Sequence, residues 1–157
     1  MGITNKKLTP QQATVRIRHF CAYQERSHNE VTQKLYGFGL TKNEVLAIVA
    51  ALIEENFLNE ERFACAYASG KFKVNEWGRQ KISFSLTQKG VSAYNIKKAI
   101  KQIDEAEYVK TLTKLAEQKF ALLSNDQLLE KKHKTAQYLL QKGYEWPLIN
   151  QVLATCK

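Results

Sequence analysis

Residues 52–64 read Leu-Ile-Glu-Glu-Asn-Phe-Leu-Asn-Glu-Glu-Arg-Phe-Ala, closing one helical pattern and opening the next within a few positions. Ahead of this stretch, apolar residues recur at helical spacing at Val45, Ile48, Val49 and Leu52; after it, Phe63, Tyr67 and Gly70 continue the period. Asn56 can take the left-handed stop conformation. Asn59 can cap the next helix, whose first turn then carries Glu60 and Glu61 at its positive dipole end. Phe57 and Leu58 fall in the elbow, where burial between the two helices would fix the angle of the joint. Arg62, on the first turn, is expected to pair with Glu54 or Glu55.

Working outward towards the N-terminus, residues 1–8 read as a flexible tail. Thr9, Pro10 and Gln12 then make a helix start, with a capping hydroxyl, a proline at the first helical position and a side chain able to reach back. Ala13, Ile17, Phe20 and Cys21 form the expected inner stripe. Ser27 with Glu30 repeats the capping-box spacing ahead of Val31 and Leu35, a helix that stops in the stretch from Gly37 to Gly39. Thr41 with Glu44 repeats it once more. Three starts, each followed by an apolar stripe, predict three helices joined by short turns.

The same pattern recurs when the chain is aligned on Gly39, Gly90 and Gly143. Four residues before each glycine stands a leucine, Leu35, Leu86 and Leu139. One residue after stand Leu40, Val91 and Tyr144; six after, Val45, Ile96 and Ile149; ten after, Val49, Ile100 and Leu153. One helix buries its last apolar residue, glycine ends it in a left-handed turn, and the next helix lays its stripe back on the first. Chance is the competing explanation, because apolar residues at helical spacing are common in any α protein. Five matching columns, the glycine among them, weigh against it. The expected fold is all-α, in three tandem three-helix, helix-turn-helix-like units over residues 9–56, 57–103 and 104–157.

Composition narrows the function classes. The 157 residues are 44% hydrophobic and carry a net charge of +9, which favours an acidic partner, nucleic acid or an acidic protein surface, and also serves solubility. Three widely spaced cysteines, Cys21, Cys65 and Cys156, fit reduced thiols and a cytoplasmic location better than a disulfide framework. The longest apolar run, residues 45–53, is too short to span a bilayer, so no membrane partner is expected, and no secretory-type opening is read. Catalytic readings fare poorly. Gly37-x-Gly39 is followed by Lys42 where a dinucleotide fingerprint wants glycine, and no strand precedes it. His19 and Cys21 point to different sides of a helix, and the two aspartates, Asp104 and Asp126, read as helix caps. Neither enzyme activity, nor a cofactor, nor a metal site is expected.

Charge concentrates in the middle of the chain. From Lys71 to Lys101, eight basic residues (Lys71, Lys73, Arg79, Lys81, Lys89, Lys97, Lys98 and Lys101) face the single acid Glu76, a local charge of +7. With Ile96, Ala99, Ile100 and Ile103 turned inward, Lys97, Lys98 and Lys101 are expected to point outward together, with Arg79 and Lys81 extending the surface. Trp77, Lys81, Phe84 and Gln88 form a second stripe at i, i+4, i+7 and i+11. Interleaved aromatic and basic residues suit a phosphate- and base-contacting surface or a protein hot spot. Packing of Trp77 and Phe84 against a neighbouring unit is the equal alternative.

The sequence also resembles the RecX regulatory proteins, modulators of the bacterial recombinase RecA. The resemblance rests on Tyr23, Arg26-Ser27, Glu30-Val31, Lys34-Leu35, the joint at residues 52–64, and Gly78, Ile82, Leu86, Gly90 and Val91. It is strongest over the first two units. Asn59-Glu60 stands where that family usually shows two aspartates, and Trp77 and Phe84 are departures from its pattern. The resemblance implies an elongated, curved helical monomer that binds RecA and its single-stranded DNA filament and modulates recombinase activity in DNA repair, inhibition being the expected sense. Two other classes stand beside it. One is a helix-turn-helix regulator that binds DNA directly, and the other a passive helical scaffold whose charge is incidental.

Overall fold

Each of the three predicted capping residues in the N-terminal stretch starts a helix. In the computed structural model, which describes residues 7–157, Thr9 and Gln12 close a full capping box on α1 (Pro10–Tyr23), and Ser27 accepts from the Glu30 amide at the start of α2 (His28–Gly37). Thr41 and Glu44 form a second full box on α3 (Lys42–Glu54). The rest of the chain continues as α4 (Glu60–Asn75), α5 (Arg79–Gln88), α6 (Ala93–Lys101), α7 (Glu105–Leu122), α8 (Leu128–Lys142) and α9 (Trp146–Ala154). No strand occurs among the described residues. Most of the expected tail lies outside them. Leu8, assigned to that tail, is instead docked: it packs on the first core, and its amide donates to the Phe38 carbonyl at 3.0 Å.

The closely packed helix pairs fall within α1–α3, α4–α6 and α7–α9. Gly39, Gly90 and Gly143 all take the expected left-handed backbone, with φ of 86°, 81° and 99°. Each ends one helix so that the next starts within a few residues. The apolar residues that follow, Leu40, Val91 and Tyr144, are all buried.

The joint is built as its residues dictate. Asn56 has φ 63°, and the Asn59 side chain accepts from the Arg62 amide at 2.9 Å. The Phe57 and Leu58 amides both donate to the Leu52 carbonyl, and Leu58 is buried in the first core. Phe57 is only half-buried, with the Arg18 guanidinium 5.6 Å from its ring centre. The expected partner of Arg62 is corrected. Its guanidinium pairs with Glu25 and bonds the Asn56 carbonyl, while Glu55 pairs with Arg18. On α4 the buried stripe is Phe63, Ala64, Ala68 and Phe72, with Tyr67 and Gly70 at its edge, because small alanines let α6 approach closely.

Three helical groups share two cores. Ala13, Ile17, Val31, Leu35, Val45, Leu52 and Leu58 close the first core alone, whereas Phe72, Ile82, Leu86, Tyr108, Leu112, Leu139, Tyr144 and Ile149 belong to one core shared by α4–α9. The seam within the shared core is backbone to backbone: Gly78 N donates to Lys142 O at 2.7 Å and Gln80 N to Gly143 O at 3.0 Å. Glu76, left-handed at φ 58°, ends α4 beside it, its carbonyl accepting from the Tyr144 hydroxyl at 2.8 Å.

Candidate interaction surface

The α4–α6 group carries all eight basic residues of the central window, but it distributes them over different faces. On the side where α4 meets α5, the ammonium of Lys71 lies 4.9 Å from the Trp77 ring centre and 5.5 Å from that of Tyr67. Lys81 covers Trp77 at 4.6 Å, and Lys89 covers Tyr67 at 5.5 Å. Three cations thus alternate with two rings in the order Lys89, Tyr67, Lys71, Trp77, Lys81. The Tyr67 and Ser85 hydroxyls, 2.5 Å apart, tie the two helices together beneath this row. Each ring attracts cations through its negative face, by about 0.5–1 kcal/mol at an exposed site. Among the described residues, none of these three lysines has a carboxylate at ion-pair distance. Rings gather the cations, and their charge is left for an anion.

On the other side of α5, Lys97 and Lys101 edge a groove of about 530 Å³ floored by Val91, Ile96 and Ile100 and bordered by Ser83 and Thr87. Lys98 turns away towards α4, where it sits 4.8 Å from the Tyr94 ring centre and 3.4 Å from a Glu61 oxygen. The hydrogen bonds to Tyr94 and then Glu61 hold its pKa above the ordinary lysine value. So the expected outward trio is all exposed but divided between two sides of α6. Lys73 stands exposed in the last turn of α4.

Arg79 is a correction. It does not extend the basic surface: its guanidinium is clamped by Glu145 at 2.8 Å and by Glu105, and lies 3.8 Å from the Tyr108 ring centre. Burial opposes its charge, yet the Glu145 and Glu105 hydrogen bonds outweigh that and raise its pKa. Tyr108, desolvated and bonded to Glu145, has its hydroxyl pKa pushed far up, so it stays neutral and accepts the Arg79 amide at 3.0 Å. These groups seal the seam between α4–α6 and α7–α9. A window count of charge missed this, because both glutamates lie beyond the window.

The aromatic stripe is also revised. Trp77 precedes the Gly78 cap of α5, so it is not on the α5 helix with Phe84. It is half-buried against the shared core under its two lysines, whereas Phe84 is 65% exposed. Tyr67, Tyr94, Ser83 and Thr87 were missed as surface residues. Tyr67 was legible, being one helical turn before Lys71. Among the described residues, no three His, Cys, Asp or Glu side chains gather as a metal cluster, and no helix is long and apolar enough to cross a membrane.

Comparison with known proteins places this geometry. Residues 59–100 match the model described as RecX, second three-helix domain, and residues 105–153 match RecX, third three-helix domain. The chain is 30% identical over 132 residues to the regulatory protein RecX of Clostridium perfringens, covering 82% of this chain and 60% of that one. To regulatory protein RecX of Oceanobacillus iheyensis it is 26% identical over 153 residues, 98% of this chain and 56% of the relative. The chain thus spans about three fifths of the length of these relatives. The fold is shared with the crystal structure of RecX from Lactobacillus salivarius, with a TM-score of 0.85 at 23% identity over 92% of this chain and 94% of that one. With α4–α6 and α7–α9 each matched by one of the family's own domain models, the chain belongs to the RecX family.

Proposed function

We propose that this chain is a cytoplasmic regulator that binds a RecA recombinase and its single-stranded DNA filament and lowers recombinase activity during DNA repair. The observation that carries the reading is the pairing of family membership with the α4–α6 group, where Lys71, Lys81 and Lys89 on one face and Lys97 and Lys101 on another lack carboxylate partners among the described residues. Such faces suit the phosphate backbone or an acidic groove of a nucleoprotein filament. Phe84 supplies an exposed aromatic anchor on the α5 ridge between them. The chain needs no catalytic group for this role, since occupying the filament is enough to change its activity.

Co-sedimentation with the RecA–single-strand filament, RecA without DNA, bare single strand and bare duplex, side by side across a salt series, tests the reading. Salt-sensitive binding to the filament that exceeds binding to either component supports it. Preferential, sequence-dependent binding to duplex would favour the direct DNA-binding regulator instead. Binding to none of the four would leave the helical scaffold.

A further inference from the structure

The groove between α5 and α6 has a counterpart one repeat later. A shift of 53 residues, which carries Gly90 onto Gly143, carries Thr87, Ala93, Lys97 and Lys101 onto Leu140, Trp146, Asn150 and Ala154. Those four residues border a groove of about 700 Å³ between α8 and α9, larger than the 530 Å³ of the first. Both grooves lie between the two helices that flank a left-handed glycine, Gly90 in the first and Gly143 in the second. Their chemistry differs. Leucine stands in place of the hydroxyl, tryptophan in place of alanine, and asparagine and alanine in place of the two lysines.

Exposed apolar side chains collect on the later groove: Leu129 is 81% exposed, Trp146 49% and Leu140 41%. Its one charged lining residue is Lys132, at the α8 edge, and no carboxylate is among the residues that line it. A wide apolar cleft fits the side chains that an amphipathic helix projects at i, i+3, i+4 and i+7, and a cationic edge selects carboxylates on that helix's flank. The cleft lacks the two lysines that would favour a phosphate.

We propose that the α8–α9 groove is a docking site for an acidic amphipathic helix of a partner protein, with Leu140 and Trp146 as its anchors and Lys132 contacting the partner's carboxylates. Trp146 is the kind of large, half-exposed ring that dominates such interfaces. This inference stands apart from the lysine faces of α4–α6 and does not depend on filament binding.

The test uses the full chain and three fluorescently labelled peptides, followed by anisotropy: an amphipathic helix with leucines at the anchor spacing and glutamates on its flanks, the same peptide with lysines for glutamates, and a scrambled acidic control. The acidic amphipathic peptide should bind, and should bind more tightly than the other two. Leu140→Thr with Trp146→Ala, which installs the residues of the earlier groove at exposed positions, should weaken it by about tenfold or more. Should that double variant melt early, Asn150→Glu on the exposed far edge serves instead, weakening the acidic peptide and strengthening the basic one. Absence of binding, equal binding of all three peptides, or indifference to both variants overturns the proposal. So does release of the peptide by a single-stranded oligonucleotide, which would give the groove to nucleic acid. A dimer in sedimentation that the double variant abolishes would give it to a second copy of the chain.

Discussion

Gly78 lies against Gly143 with no room for a side chain between them: a Cβ on Gly78 would stand inside the van der Waals envelope of the Gly143 carbonyl and the Tyr144 amide. The backbone of Gly78 is ordinary, φ −77°, so space alone requires glycine. Gly78→Ala must part the seam where Gly78 N and Gln80 N bond the end of α8, and should destabilise by about 1–3 kcal/mol. Gly70→Ala is the control. It sits within α4 with nothing within 4 Å of its would-be Cβ, and should stabilise by about 0.5–1 kcal/mol. Thermal melts of the two variants moving in the same direction would refute the close approach.

Leu58 and Phe57 are neighbours with unequal burial, and their truncations should separate. Leu58 is 2% exposed in the first core, so Leu58→Ala should cost on the order of 3 kcal/mol. Phe57 keeps one face towards Arg18 and solvent, and Phe57→Ala should cost less. Urea titrations giving equal losses would mean that Phe57 is as deeply packed in the elbow as Leu58.

The fold was legible because caps and glycine stops are local. Thr9, Ser27, Thr41 and Asn59 each bond a backbone amide three residues on, within reach of any short window of sequence. What escaped was set by residues distant in the chain. Arg79 looked like one more surface cation until Glu105 and Glu145 arrived from α7 and the turn before α9. Glu76 gave no sign of ending a helix, since a left-handed glutamate is uncommon. Its conformation is supported by Lys114 on its carboxylate and Tyr144 on its carbonyl. The division of the lysines followed from which side of α5 and α6 faces a neighbour, and helical periodicity cannot tell two solvent-facing flanks apart.

Glu60 links α4 to the start of α6. Its carboxylate accepts from the Ser92 hydroxyl at 3.1 Å and from the Asn95 side-chain Nδ2 at 2.5 Å. Partial burial raises its pKa, but the Asn95 and Ser92 hydrogen bonds outweigh that and set it below the ordinary glutamate value. A carboxyl whose folded pKa is lowered binds its proton more readily in the unfolded chain. Its contribution is therefore complete above the ordinary glutamate range and is lost as pH falls through the depressed folded value. Glu60→Gln should destabilise the chain at neutral pH and flatten the acid limb of its stability curve. A parallel acid limb in wild type and variant would remove Glu60 as its source.

The two lysine faces can be told apart by substitution. Lys71, Lys81 and Lys89 form one set, spaced by Tyr67 and Trp77; Lys97 and Lys101 form the other, edging the α5–α6 groove. Neither set has an ion-pair partner among the described residues, so alanine at each site should change stability by no more than about 0.5 kcal/mol, plus the modest loss of ring interactions in the first set. If both faces meet phosphates, each triple or double variant should weaken filament binding and reduce the slope of log affinity against log salt by about 0.7 for every phosphate of a single strand that is no longer neutralised. If only the ring-spaced face meets DNA, the Lys97 and Lys101 variant should bind with wild-type affinity and slope. Lys98→Ala is the internal control, because its charge is already engaged by Glu61; it should change the slope least of all. Measured on bare single strand as well, weaker binding to both substrates assigns a face to DNA, and weaker binding to the filament alone assigns it to the recombinase. Unchanged affinity and slope in every variant would rule out α4–α6 as the binding surface and direct the search to α1–α3 and α7–α9.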